Sequence, residues 1–137
     1  RGSPSIPWVQ NVLKTIERRV PRNMRQRLHS PAILFVGDKR IRTLNRLYHG
    51  VDLPTDVLAF PTDRGHEPSR ESGMGDVVIN VPYVQRQARR FGISFEEECA
   101  RMLTHGVLHL LGYTHHKQKS ADQMFRLQET IVNAILA

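Results

Sequence analysis

Apolar residues recur along this chain at two spacings, which predict helices in some stretches and strands in others. Between residues 6 and 20 they lie mostly three or four positions apart, which is typical of an amphipathic helix that stops near Pro21. Three short apolar runs are bounded by Pro or Gly and predict strands. These runs are residues 32–36, which we expect to form a buried strand, 54–61 and 75–81.

Four further helices are predicted where a starting residue precedes apolar positions at helical spacing. The starting residues are Asp38, Pro82, Ser94 and Ser120. Ser94 is followed three residues later by Glu97, which together form a capping box. Residues 22–27 are interpreted as a second short helix or a basic loop, and 63–73 as a mobile loop. The alternation predicts an α+β fold, with one domain over residues 1–137.

Composition indicates which class of partner and which cellular compartment to expect. The formal net charge is +7, and most of the basic residues are arginines, which bind phosphate and stack on bases. RNA or another polyanion is therefore a plausible partner, although many small basic proteins bind nothing specific. Cys99 is the single cysteine, so an intramolecular disulfide is excluded, and we expect a buried thiol in a reducing compartment.

Two expectations concern location. No apolar run approaches the ~20 residues that span a membrane, so no membrane partner is expected. The first three residues resemble the remnant of an expression tag, and no secretory signal is visible. We therefore expect a cytoplasmic protein, or an organellar one if a targeting segment has been removed.

Three histidines carry the main candidate chemistry. His105 and His109 are four residues apart, which places both imidazoles on one face of a helix. Gly112 can end that helix in a left-handed conformation, and the reversed chain can bring His115 towards the same point. A single histidine is more often a surface or core residue. Three at this spacing predict one Zn²⁺ per chain, with an open fourth position as in catalytic sites.

A hydrolytic or related lytic reaction follows from such a site, and the bond that breaks is the open question. The same histidine spacing occurs in metzincin proteases, which have a glutamate directly after the first histidine as general base. Here that position is Gly106. The metallopeptidase interpretation therefore has no catalytic base and becomes the weaker one.

A more specific resemblance involves three separated blocks. Residues 105–115 read HGVLHLLGYTH and closely resemble the H-G-x-L-H-L-x-G-[YF]-D-H signature of the YbeY family. Residues 44–48 and 54–61, which read LNRLY and PTDVLAFP, resemble that family's second block. Residues 74–77, which read MGDV, resemble its Gly-Asp block.

The resemblance implies a zinc-dependent, single-strand-specific endoribonuclease in ribosomal RNA maturation and ribosome quality control. Its partners would be single-stranded RNA, ribosomal RNA or the ribosome. It also implies a small mixed sheet of about four strands packed with helices, with the metal-site helix near the C-terminus. His105, His109 and His115 would be the ligands, while the neighbouring His116 is expected to be exposed. An RNA-binding factor with a mainly structural metal remains the non-enzymatic alternative.

Three positions depart from the family pattern. His49 stands where the family usually has an arginine, Ala59 replaces a common serine, and Thr114 replaces the aspartate before the last ligand. A histidine can act as acid, base or phosphate contact, which makes His49 the candidate catalytic residue. We expect Asp56 and Asp76 to be structural rather than catalytic carboxylates. Metal binding should persist through these changes, whereas rate and substrate preference depend on them.

Overall fold

The structure, a computed structural model, describes residues 2–62, 73–113 and 118–137, with the side chains of residues 118 and 119 excluded. The predicted loop at residues 63–72 therefore lies outside the described residues. In chain order the elements are α1 (Ile6–Arg19), α2 (Arg22–Arg25), β1 (Ala32–Val36), α3 (Asp38–His49), β2 (Val57–Pro61), β3 (Gly75–Asn80), α4 (Val81–Phe91), α5 (Phe95–Leu110) and α6 (Gln118–Leu136).

Local hydrogen bonds explain where two of these helices begin. The Ser94 hydroxyl accepts from the Glu97 N–H at 3.0 Å, so this part of the predicted capping box is confirmed. The Asn80 side chain accepts from the Tyr83 N–H at 3.3 Å and caps α4, with Pro82 in its first turn. Both helices therefore start within one residue of the predicted position.

Two predicted caps are wrong. Asp38 is the first residue of α3 rather than its cap, because its carboxylate accepts from the side chains of Asn80 and Arg86, both at 2.8 Å. Helix α6 already begins at Gln118, so Ser120 lies in its first turn. A capping residue type has several possible hydrogen-bond partners, so it does not by itself fix the first residue of a helix.

The sheet is small and mixed, as expected. Its order is β1-β3-β2, with β1 parallel and β2 antiparallel to the central β3. The described part of the chain forms three strands rather than the expected four, and the fold is α+β. Both β1 and β2 are therefore edge strands. For β1 the prediction of a buried strand is wrong, because its Leu34 is 45% exposed.

Both faces of the sheet are covered by apolar residues, and the two apolar clusters differ in size. On one face, Val77 and Ile79 pack into the main core with Leu103 and Val107 of α5. On the other face a smaller cluster joins Ile41 of α3 to Leu58 and Val78. Because successive strand residues point to opposite faces, α3 and α5 lie on opposite sides of β2 and β3. The two helices that carry the candidate histidines thus flank the same edge of the sheet.

One further prediction concerns the single cysteine. Cys99 is fully buried, as expected, and burial raises the pKa of its thiol to about 12. Within the described residues, no helix is both long and apolar enough to cross a membrane.

Candidate functional site

Histidines from two separate helices line one cavity at the edge of the sheet. The cavity has a volume of about 220 Å³. His105 and His109 reach it from α5, and His49 reaches it from the C-terminal end of α3. The intervening wall is β2, at Val57 to Ala59. The sequence separates His49 from His105 by 56 positions, so only the packing of α3 and α5 around β2 brings them together.

His105 and His109 lie one helical turn apart, as predicted. Their ring centroids are 5.3 Å apart and the rings meet edge to face. Both side chains are half-buried. Two imidazoles held side by side on a rigid helix are donors that suit zinc. Gly112, at φ 107°, turns the chain directly after α5, as predicted.

The remaining predicted ligand is not described. His115 lies outside the described residues, as do Thr114 and His116. Over residues 2–62, 73–113 and 118–137, no group of three or more His, Cys, Asp or Glu side chains is placed to hold a metal. The zinc site at His105, His109 and His115 therefore stays a prediction.

Gln128 of α6 determines which nitrogen of His105 carries the proton. The Gln128 amide N–H donates to the Glu129 carboxylate at 3.2 Å, which turns the amide oxygen towards His105. This oxygen lies 2.8 Å from His105 Nδ1 and can only accept, so Nδ1 is the donor. In a neutral imidazole the lone pair is then on Nε2. A second partner that fixes the tautomer in this way is usual for histidines that bind metals.

The Glu129 carboxylate that binds Gln128 belongs to an ion-pair network. Arg101 donates to both carboxylate oxygens of Glu129 at 2.9 Å, and also to Glu98 at 2.7 Å and Glu97 at 3.0 Å. The Arg101 guanidinium holds the pKa of the Glu129 carboxyl below its ordinary value of 4.5. Glu129 therefore stays ionised and keeps the Gln128 amide in one orientation.

His49 is fixed by the same kind of contact. The Asn45 side-chain N–H donates to the Leu53 carbonyl oxygen at 2.9 Å, which leaves the Asn45 oxygen 3.3 Å from His49 Nδ1. Nδ1 is therefore the donor, and in the neutral ring Nε2 is the acceptor. The His49 ring also lies 5.8 Å from the Phe60 ring, centroid to centroid. The candidate catalytic histidine is thus exposed but oriented.

The two aspartates of the resemblance blocks do not act as a pair. Asp56 accepts from the Val57 N–H at 2.7 Å. Asp76 is exposed and lies opposite Phe60 in the sheet. It lines a different groove, of about 590 Å³, beside α3. A carboxylate partnership between Asp56 and Asp76 is therefore excluded by their positions in the sheet.

Gly106 has no room for a side chain. A Cβ at this position would lie 2.5 Å from Val77 Cγ1 and 3.1 Å from Val77 Cγ2, on the strand that α5 packs against. A glutamate at the position of a metzincin base would therefore collide with the sheet. The packing of α5 opposes the peptidase interpretation independently of the residue type.

Sequence reasoning missed Gln128 and Arg101 as parts of the site. A signal for Gln128 was present, because it follows Met124 by four residues and precedes Ile131 by three, in the apolar stripe of α6. A buried polar residue in such a stripe needs a partner. Nothing in the sequence identifies His105 as that partner, since 23 positions separate them.

Comparisons with known proteins agree with the resemblance. Residues 5–136 match the family described as endoribonuclease YbeY. The endoribonuclease YbeY of Persephonella marina is 45% identical over 105 residues, which cover 76% of this chain and 69% of the relative. That of Desulforamulus reducens is 39% identical over 134 residues, which cover 92% and 88%. The solution structure of TM1509 from Thermotoga maritima is similar, with a TM-score of 0.66, 27% identity and coverage of 98% of this chain and 85% of that one.

Proposed function

The chain belongs to the endoribonuclease YbeY family, and from this premise we propose that it cuts single-stranded RNA with the help of one bound zinc ion. The proposed role is ribosomal RNA maturation and ribosome quality control in the cytoplasm, with ribosomal RNA or the ribosome as partner. The observation that carries the proposal is the shared cavity of His49, His105 and His109, with the tautomer of His105 fixed by Gln128.

Zinc would be held by His105, His109 and His115. When bound, such an ion polarises a phosphoryl oxygen and lowers the pKa of water to about 7. Gln128 keeps Nδ1 of His105 protonated, so Nε2 is the nitrogen with ligand chemistry. The half-buried position of both described ligands limits competition by water for the same donors.

His49 would move a proton in this cavity. Its Nδ1–H is directed at Asn45, so Nε2 is the atom that accepts a proton from an attacking hydroxyl or returns one to the leaving oxygen. An imidazole nitrogen can both accept and return a proton, which suits both directions of transfer. The surface arginines, including the exposed Arg89 and Arg90 of α4, would attract the RNA backbone.

The proposal is tested by RNA cleavage with zinc-loaded protein. Wild type should cut a single-stranded oligonucleotide and leave the duplex of the same sequence intact. The His109→Ala variant and chelated wild type should lose at least about 100-fold in rate, and zinc should restore the chelated sample. His29→Ala is the matched control, because His29 is half-buried but does not line the cavity, and it should cleave like wild type.

Three other results would overturn the proposal. Equal cleavage by His109→Ala and wild type would attribute the activity to a contaminant. Zinc and RNA binding without cleavage would assign the chain to RNA-binding factors with a structural metal. Digestion of casein by wild type, lost in His109→Ala, would restore the peptidase interpretation.

A further inference from the structure

The outer edge of β2 carries main-chain groups that the sheet leaves unpaired. The Asn80 N–H donates to the Asp56 carbonyl oxygen at 2.9 Å, which places residues 56 and 80 at a hydrogen-bonding position of the antiparallel ladder. Such positions alternate with non-hydrogen-bonded pairs along the strand. Leu58 and Phe60 therefore exchange bonds with Val78 and Asp76. The N–H and carbonyl groups of residues 57, 59 and 61 point away from the sheet.

Only one N–H of this edge still needs an acceptor among the described residues. The Val57 N–H donates to the Asp56 carboxylate at 2.7 Å. Pro61 has no N–H. The remaining outward donor of β2 is the Ala59 N–H. An unmet donor at a sheet edge is open to a ligand acceptor.

This edge opens into the histidine cavity. Helix α5 lies on one face of β2 and the end of α3 on the other, and the cavity between them is lined by Ala59 together with His49, His105 and His109. None of the described lining residues is acidic. A main-chain donor beside three histidines favours an anionic acceptor.

We propose that the Ala59 N–H donates a hydrogen bond to a non-bridging phosphate oxygen of the RNA bound in this cavity. This inference rests on the proposed endoribonuclease function and assigns one group that binds its substrate. Because the donor belongs to the backbone, it does not depend on the side chain at residue 59. This main-chain donor is therefore present whether residue 59 is the serine common in the family or the alanine of this chain.

The same edge is poorly suited to an extended peptide. A peptide that pairs with β2 needs donors and acceptors in alternation along the strand. Asp56 already occupies the Val57 N–H, and Pro61 provides no donor. A phosphate oxygen needs only the single donor that remains, so RNA fits the edge and a peptide strand does not.

The first test is Ala59→Pro, which removes the N–H. Proline is tolerated at an edge position whose N–H lies outside the ladder, so the melting temperature and the zinc content should match wild type. The turnover number for single-stranded RNA should fall about 10- to 100-fold, the range for a hydrogen bond to a charged group. Ala59→Ser changes the side chain but keeps the N–H, so a loss of turnover as large as that of Ala59→Pro would overturn the inference.

A second variant separates the lost donor from the added ring. Incorporation of lactic acid in place of Ala59 changes only the amide to an ester, and it should reproduce the loss of turnover. Affinity for an oligonucleotide is measured in parallel, by fluorescence anisotropy in the His109→Ala background, where the ester should weaken binding about 10-fold.

Ester protein that cleaves and binds like its alanine counterpart would overturn the inference while leaving the nuclease function intact. Wild type that binds but never cleaves would instead reject the nuclease function, and the binding comparison would still decide whether Ala59 contacts RNA.

Discussion

Two buried amide side chains orient the imidazoles of this cavity. Asn45 and Gln128 are both less than 10% exposed, and each has its N–H group bound to an oxygen that can only accept. Each amide must therefore present its own oxygen to a histidine, His49 or His105. The two amides hold Nδ1 as the donor on both rings, which leaves Nε2 for chemistry.

Gln128→Met should weaken zinc binding. Methionine has a similar volume but cannot accept from His105 Nδ1 with comparable strength, so the ring loses its fixed tautomer. We expect the dissociation constant for zinc, measured by competition with a chelator at pH 7, to rise about 10- to 100-fold. Gln123→Met, at an exposed position of the same helix, should leave it unchanged. An unaltered constant in Gln128→Met would show that the tautomer does not matter for zinc.

Gly106→Ala should destabilise the fold. The new methyl group would meet Val77 Cγ1 at 2.5 Å, and a valine on a central strand cannot easily move. We expect the free energy of unfolding, measured with urea, to fall by about 1–3 kcal/mol. In a Val77→Ala background, which clears that space, the same substitution should cost clearly less. Equal costs in both backgrounds would contradict a steric origin.

At the scale of elements, α5 and α6 are joined by a polar contact as well as by the core. Arg101 of α5 binds Glu129 of α6 through two nitrogens, and it also binds Glu98, which is 2% exposed. Removal of one partner from a buried ion pair leaves the other charge uncompensated. The α5–α6 contact therefore stabilises the fold and also keeps Gln128 in the position from which it orients His105.

Arg101→Met should lower the free energy of unfolding at pH 7 by about 2–4 kcal/mol. Because Arg101 depresses the folded-state pKa of Glu129 below 4.5, this contribution is present above pH 4.5. It is lost as the pH falls through the lower folded-state value. The difference between variant and wild type in urea unfolding should therefore shrink when the pH is lowered from 7 to 3. A difference that stays constant over this range would exclude the charge as its cause.

The control for Arg101 is Arg42→Met. Arg42 forms a similar ion pair with Asp52, at 2.9 Å, but both side chains are more than half exposed. Water screens an exposed pair, so Arg42→Met should unfold at nearly the same urea concentration as wild type. A cost for Arg42→Met as large as that for Arg101→Met would mean that burial does not distinguish the two pairs.

At the scale of the whole molecule, charge and topology act together. The net charge of +7 favours a polyanion anywhere on the surface, whereas the histidine cavity exists only where α3, the edge of β2 and α5 meet. The positive charge attracts RNA without fixing where it binds, whereas the cavity fixes the place where a phosphate group can meet the histidines. We therefore expect RNA binding to depend strongly on salt, and we expect cleavage to occur only in the histidine cavity.

The affinity of the His109→Ala variant for single-stranded RNA should fall steeply with salt. About four neutralised phosphates would give a slope near −2.8 in a plot of the logarithm of the association constant against the logarithm of the salt concentration. Fluorescence anisotropy between 50 and 300 mM KCl, about the range in which such slopes are measured, provides the test. A slope near zero would show that the basic surface does not contact the RNA backbone.

Much of the secondary structure was predictable because its causes are local. The period of apolar residues, the Ser94 cap and the glycine at 112 each act within a few residues, and the structure confirms all three. The Asp38 cap was wrong because Asn80 and Arg86, more than 40 positions away, bind its carboxylate. The buried character of β1 was wrong because sheet order, which the sequence pattern does not encode, left it at an edge.

The sequence by itself determined the family, the helical spacing of His105 and His109, and the absence of a base at Gly106. Each of these depends on residue identity or on the rise of a single helix. Only the tertiary structure decided that His49 shares their cavity, that Gln128 fixes the His105 tautomer, and that the Ala59 N–H faces outward. These features depend on how distant elements pack and on which strand forms the edge. Packing is a property of the whole chain, and no local pattern specifies it.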